Sequence, residues 1–217
     1  MLKAKAYLIL GVGTDIGKTF FLEEICKNLR QKKTALEAIK PIMSGFGDDD
    51  KNSDSAKIIT ALGKKLSKEN LDEITPWRFE QPISPHFAGK INFSEVKKFC
   101  SKKIAQAKKT KQLLFIEGAG GVMTPINDKK TFLDLAAELE IPILLLTANY
   151  LGAISHTLCA VAALKSRKIS IENIIFNEGL PTSRKSSLVN DSEVMQTIEN
   201  FTKIKTISLR KFCQKAS

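Results

Sequence analysis

Lys18, Thr19, Lys40, Ser44, Asp54 and Glu117 carry the groups that phosphate chemistry needs, ammonium charges for the anion and hydroxyl or carboxylate oxygens for a hard cation. The stretch Tyr7–Thr19, YLILGVGTDIGKT, is the one the rest of the chain is organised around. Gly11, Gly13 and Gly17 leave a turn with little side chain, whose backbone N–H groups can surround a phosphate at the positive end of a following helix. Lys18 would then reach the outer phosphates, and the Thr19 hydroxyl would ligate magnesium. The usual Gly-x-x-x-x-Gly-Lys-Thr spacing puts its first glycine at position 12, where this chain has Val12; the glycine stands one place earlier, at Gly11.

Other candidates fall at the ends of apolar runs. Lys40 follows a strand predicted over Thr34–Ile39, and Pro41 disfavours a helical conformation at Lys40. Lys40 and Ser44 therefore lie at the C-terminal edge of a parallel strand, beside the glycine turn, where α/β sites are built. Glu117 ends the run Gln112–Ile116 and is followed by Gly118, Ala119, Gly120 and Gly121. P-loop enzymes place a magnesium-holding acid there, and the glycines let a ligand approach the backbone. Asp54, in Asn52-Ser53-Asp54-Ser55, has two readings that spacing leaves open: helix cap or magnesium ligand. Asp48, Asp49 and Asp50 read as an exposed acidic run, and His86 as a capping or packing histidine.

The elements that must position these groups alternate. Tyr7–Leu10, Gln112–Ile116, Ile141–Thr147 and Asn173–Phe176 read as buried strands. Helices are predicted after Gly17 (Phe21, Leu22, Ile25, Cys26, Leu29), after Ser53 (Ile58, Ile59, Leu62), over Phe132–Leu139, and from Asn149 to about Lys165. Residues 64–83 and 178–190 resist assignment. Alternation predicts an α/β fold: one P-loop NTPase-like domain over residues 1–217, a parallel sheet flanked by helices on both faces, with all strand ends on one edge.

The chain has 217 residues, 43% hydrophobic, which suffices for a core and argues against disorder. No stretch approaches the roughly 20 apolar residues of a membrane span, and no secretory leader is read at Met1–Lys5. Cys26, Cys100, Cys159 and Cys213 form no CxxC pair, so a reduced, cytoplasmic setting is expected. The net charge of +11 raises nucleic-acid binding as a reading. However, Lys97, Lys98, Lys102, Lys103, Lys108 and Lys109 decorate a helix without interleaved aromatics, and read as a solvated face.

Taken together, Gly11–Thr19, Lys40-Pro-Ile-Met-Ser-Gly45, Asn52-Ser-Asp54, Ser84-Pro-His86 and Glu117-Gly-Ala-Gly-Gly121, with Leu151-Gly152 and Asn177, resemble the dethiobiotin synthetases over most of the chain. The resemblance implies an ATP- and Mg²⁺-dependent ring closure of 7,8-diaminopelargonate with carbon dioxide, through a phosphorylated carbamate, in biotin synthesis. It implies catalytic roles for Lys18 and Lys40, and nucleotide contacts from Gly13, Thr14, Asp15, Ile16, Gly17, Lys18, Thr19, Phe20, Asp54, Glu117, Gly118, Ala119, Gly120 and Asn177. Mg²⁺ would be held by Thr19, Asp54 and Glu117, which turns Asp54 from cap to ligand. The substrate would meet Thr14, Lys40, Ser44, Gly118, Leu151, Gly152 and Ser155, the last three from the partner in a homodimer. Neither nucleic acid nor membrane is an expected partner.

Three positions depart from the family pattern. Asp15 stands where glutamate is common, and Ser155 where asparagine is frequent. After Thr206-Ile-Ser-Leu209 the chain reads RKFCQKAS, without the Gly-x-Ile-Pro-like segment that helps hold the base, so this end looks altered and weak base discrimination is expected. Lys40→Gln is expected to lose turnover while the fold survives. A partitioning or septum-positioning P-loop ATPase, binding DNA or membrane, is the alternative; such proteins carry a second lysine early in the phosphate loop, and Gly11–Ile16 has none.

Overall fold

The computed structural model describes residues 2–47, 51–179 and 189–216. The run Asp48–Asp50 lies outside these residues, as does most of the unassigned 178–190 segment. In chain order the elements are β1 (Ala6–Gly11), α1 (Lys18–Gln31), β2 (Leu36–Ile39), β3 (Ile42–Ser44), α2 (Asp54–Ala61), α3 (Lys68–Ile74), β4 (Trp77–Phe79), α4 (Pro85–Ala88) and α5 (Phe93–Thr110). Then follow β5 (Leu113–Gly121), α6 (Phe132–Leu139), β6 (Ile143–Ala148), α7 (Ala153–Ser166), β7 (Ile171–Asn177), α8 (Asp191–Thr202), β8 (Thr206–Ser208) and α9 (Leu209–Lys215).

Six strands form one sheet in the order β2-β5-β1-β6-β7-β8, every pairing parallel. The helices flank it, as the alternation predicted. β1 is central and buried at every residue, as its apolar run requires when both faces are covered. Because all six strands run the same way, the C-terminal ends of β1, β2, β5 and β6 share one edge. The phosphate loop, Lys40 and the start of α7 follow the ends of β1, β2 and β6 on that edge, and Glu117 lies on β5 beside them.

Local signals explain the helix starts. Ser53 Oγ accepts from the Ala56 N–H and caps α2, and Thr131 with Asp134 forms a reciprocal capping box on α6. Ser53 is thus the cap of α2, and Asp54 is its first residue, free for other work.

Several boundaries differ from the sequence reading. β5 does not stop at Ile116 but runs on to Gly121, so Glu117 is an interior strand residue paired with Ile9. Ile42–Ser44, read as loop, pairs in parallel with Trp77–Phe79 as a separate two-stranded sheet. That pairing and α3 account for much of the unassigned 64–83 segment. Lys103 is not on a solvated face: it is buried, 3.0 Å from Glu73 and 3.6 Å from Glu37. Its partners come from α3 and β2, far away in sequence, so helical periodicity could not reveal them. Beyond β8 the chain is not a loose end. It forms α9, whose Phe212 is fully buried with its ring 5.7 Å from that of Phe21 on α1.

Candidate active site

The phosphate loop joins β1 to α1. The Val12 N–H donates to the Leu146 carbonyl at 3.0 Å, tying the start of the loop to β6. Gly17 ends it at φ +94°, in the left-handed region, and a side chain there would meet Asn177 Nδ2 at 2.3 Å. Asn177 fills that space: its Nδ2 donates to the Ile16 carbonyl at 3.1 Å, while its Oδ1 accepts from the Gly179 N–H at 2.9 Å. No side chain caps α1 and no acid stands in its first turn, so its leading N–H groups remain open to an anion.

Lys18 is buried and folds back over the loop, Nζ donating to the Gly13 carbonyl at 2.9 Å and the Gly120 carbonyl at 2.7 Å. Gly120 reaches that position at φ +64°, braced by the Gly121 N–H donating to Thr124 Oγ1 at 2.7 Å. Burial pushes Lys18 down to about 8, with Glu117 opposing and Lys40 adding to the push.

Lys40 lies between β2 and β3 with its ammonium among oxygens. Nζ donates to Glu117 Oε1 at 2.8 Å, to Asp54 Oδ2, and to Thr19 Oγ1 at 3.4 Å. Thr19 Oγ1 in turn donates to Glu117 Oε1 at 2.7 Å. Burial alone would lower Lys40, but the Glu117 and Asp54 carboxylates outweigh it and hold it above the ordinary lysine range. Asp54 is lowered for the complementary reason, Lys40 overcoming the upward push of burial. The expectation that Lys40 adds little to the fold is therefore corrected: it is the buried counter-charge of Glu117, and removing it leaves that carboxylate unpaired.

These groups open onto one cleft of about 700 Å³. Thr14, Asp15, Gly17, Lys18, Thr19, Phe20, Lys40, Ser44, Asp54, Glu117, Ala119 and Gly120, all candidates from sequence, line it. Gly13 and Ile16 shape the loop behind it, and Gly118 packs on Leu10 and Phe132. Leu151, Gly152 and Ser155 are not brought into the cleft: they stand exposed at the start of α7, Leu151 at 94%. Asn149 is buried and donates to the Val189 carbonyl at 2.8 Å and Asp191 Oδ1 at 3.0 Å, fastening the lead into α8. His86 Nδ1 lies 2.9 Å from Ser84 Oγ and its ring 3.8 Å from Phe87, a packing histidine beside the cleft. Lys57 and Thr124 also line the cleft and were missed. Lys57 was readable, since it lies three residues after Asp54 on α2 and so on the same face.

Thr19, Asp54 and Glu117 fit a hard divalent cation. Glu117 Oε2 is buried without a hydrogen-bond partner, an acceptor that a cation would satisfy. Among the described residues no group of three or more His, Cys, Asp or Glu forms a metal cage. A magnesium ion, which takes one or two carboxylates and completes its shell with phosphate oxygens and water, needs none.

A parallel sheet with a glycine loop before a Lys-Thr helix and an acid on the adjacent strand defines a P-loop nucleotide-binding domain. Solved structures of similar fold include a ParA family ATPase from Chlorobium tepidum TLS, at TM-score 0.52 and 15% identity over 94% of this chain and 84% of that one. The cell division protein MinD from Aquifex aeolicus is another, at TM-score 0.53 and 14% identity over 99% and 87%. These likenesses are of fold alone.

A family model described as "AAA domain" matches residues 5–208. The ATP-dependent dethiobiotin synthetase BioD of Caulobacter sp. (strain K31) is 35% identical over 179 residues, 81% of this chain and 76% of the relative. The protein of the same name from Acidiphilium cryptum (strain JF-5) is 36% identical over 184 residues, 81% of each, and that of Legionella pneumophila (strain Paris) 35% over 182, 80% of each. The chain belongs to the dethiobiotin synthetase family.

Proposed function

We propose that this chain, acting as one P-loop domain, makes dethiobiotin from 7,8-diaminopelargonate, carbon dioxide and ATP, as a Mg²⁺-dependent cyclo-ligase of biotin synthesis. The observation that carries the reading is the Lys40–Asp54–Glu117–Thr19 cluster set beside a phosphate loop in one cleft, in a chain of this family.

One amine adds to carbon dioxide and loses a proton, giving a carbamate. A carbamate oxygen attacks the γ-phosphorus as ADP leaves. The second amine then attacks the carbamoyl carbon, phosphate departs, and a cyclic urea closes. Two anions must meet in the phosphorylation, so the site's work is to place positive charge where negative charge gathers. The phosphate loop and the open end of α1 hold the β- and γ-phosphates, and Lys18 follows the transferring group. Lys40 orients the carbamate, with Ser44 Oγ, buried and without a partner, as a second contact. Mg²⁺, when bound by Thr19, Asp54 and Glu117, supplies Lewis-acid polarisation of the phosphate oxygens.

Leu151, Gly152 and Ser155, exposed at the start of α7, are assigned to the substrate carboxylate of the second subunit in a cytoplasmic homodimer. Four free cysteines agree with a reducing compartment. Nucleic acid is left out as a partner, since Lys97 and Lys103 of the basic helix are ion-paired. Incubation with the diamine, bicarbonate and Mg-ATP tests the assignment; dethiobiotin detected by mass, dependent on all three, is expected, and ATP turnover without it overturns the reading.

A further inference from the structure

Lys40 touches all the groups assigned to the metal. Its Nζ bonds Asp54 Oδ2, lies 2.8 Å from Glu117 Oε1 and reaches Thr19 Oγ1 at 3.4 Å. One ammonium thus stands among the three oxygens that would ligate a divalent cation. Two cations packed against the same oxygens repel one another, and Glu117 Oε1 is already shared between Lys40 and the Thr19 hydroxyl. Meanwhile Glu117 Oε2 stays unpartnered, so the monovalent occupant leaves the carboxylate half satisfied.

We propose that Lys40 is the resident cation of this metal site, an internal competitor that holds Asp54 and Glu117 in the metal-free protein and must withdraw when a divalent ion binds. The inference rests on the reading of Thr19, Asp54 and Glu117 as metal ligands. It assigns Lys40 two positions in sequence: parked on the carboxylates, it keeps a buried acid neutralised; displaced, it carries its charge into the cleft it lines, where an anionic substrate would lie. Lys40 is then available to the carbamate only after the metal–nucleotide complex has bound. This coupling makes ring-closure chemistry conditional on a loaded triphosphate. Removing the lysine should remove the competitor while keeping all three ligands.

Manganese titration of the nucleotide-free protein, with free Mn²⁺ read by electron paramagnetic resonance, tests this without reference to turnover. Lys40→Met should bind Mn²⁺ at least about tenfold more tightly than the wild type, because both carboxylates lose their internal partner. Glu117→Gln should lose most of the binding. If Glu117→Gln binds as well as the wild type, the metal assignment itself fails and the inference with it. If Glu117→Gln loses binding but Lys40→Met is no tighter than wild type, the metal assignment stands and the competition is wrong. Circular dichroism checks that Lys40→Met folds. Should it not, reductive methylation of the wild type followed by peptide mass serves instead: saturating Mn²⁺ should raise the Lys40 labelling rate severalfold, and an unchanged rate overturns the proposal.

Discussion

Lys18 and Lys40 are buried in the same cleft, yet their surroundings treat them oppositely. Lys18 is bonded to two carbonyls, which do not neutralise it, and burial brings it down to about 8. Lys40 has two carboxylates, which outweigh its burial and raise it. Lys18 is therefore a charge waiting for an anion, Lys40 one already in use. The free enzyme keeps Lys18 protonated at neutral pH and loses that proton as pH rises through about 8. Nucleotide phosphates bind the ammonium form, so affinity should weaken above that point, approaching about tenfold per pH unit until the pKa of the complex is reached. Calorimetric titration with Mg-ATP at neutral and alkaline pH checks this, and a flat profile contradicts it. Folding has the opposite sign: the unfolded chain binds more protons between about 8 and the ordinary lysine value, so burying Lys18 costs less stability as pH climbs through that window.

At the scale of elements, α9 changes what the C-terminus means. Its seven residues carry too few apolar positions to announce a helix, but Leu209, Phe212 and Cys213 are buried, Phe212 against the helix that follows the phosphate loop. Phe212→Ala should cost about 3–5 kcal/mol in a denaturant melt, as for other fully buried aromatics; a loss below about 1 kcal/mol would mean α9 does not dock as described. Glu178 Oε2 accepts from the Leu209 N–H at 3.0 Å, and both polar atoms of Asn177 are engaged with backbone. Among the described residues at this strand end, Asn177 and Glu178 therefore have these polar atoms already engaged. GTP and CTP should therefore support turnover with kcat/KM within roughly a hundredfold of ATP, about 2.7 kcal/mol; a larger preference defeats this. The central strands, α1, α6 and the strand-edge site were legible because long apolar runs and glycine turns are local signals. β3 with β4, the burial of Lys103 and the direct ion pairing of Lys40 with Asp54 and Glu117 were not. The strands have three residues each, and the charges converge from elements whose proximity only the sheet order creates.

For the whole molecule, the sheet gathers the phosphate loop, Glu117 and Lys40 on one edge but leaves the start of α7 outside the cleft. A second subunit would make use of Leu151, whose side chain meets solvent almost completely. Leu151→Glu should shift the protein toward monomer in sedimentation and raise KM for the diamine more than KM for ATP; unchanged mass and KM would remove α7 from an interface. In the proposed reaction ATP activates a carbamate. If so, the oxygen that attacks the γ-phosphorus comes from carbon dioxide and leaves with phosphate when the ring closes. Reaction with bicarbonate labelled with oxygen-18, run faster than label washes out to water, should deliver one labelled oxygen into the inorganic phosphate for each dethiobiotin formed. Dethiobiotin accompanied by unlabelled phosphate would contradict a phosphorylated carbamate and, with it, Lys40 as the residue that orients one.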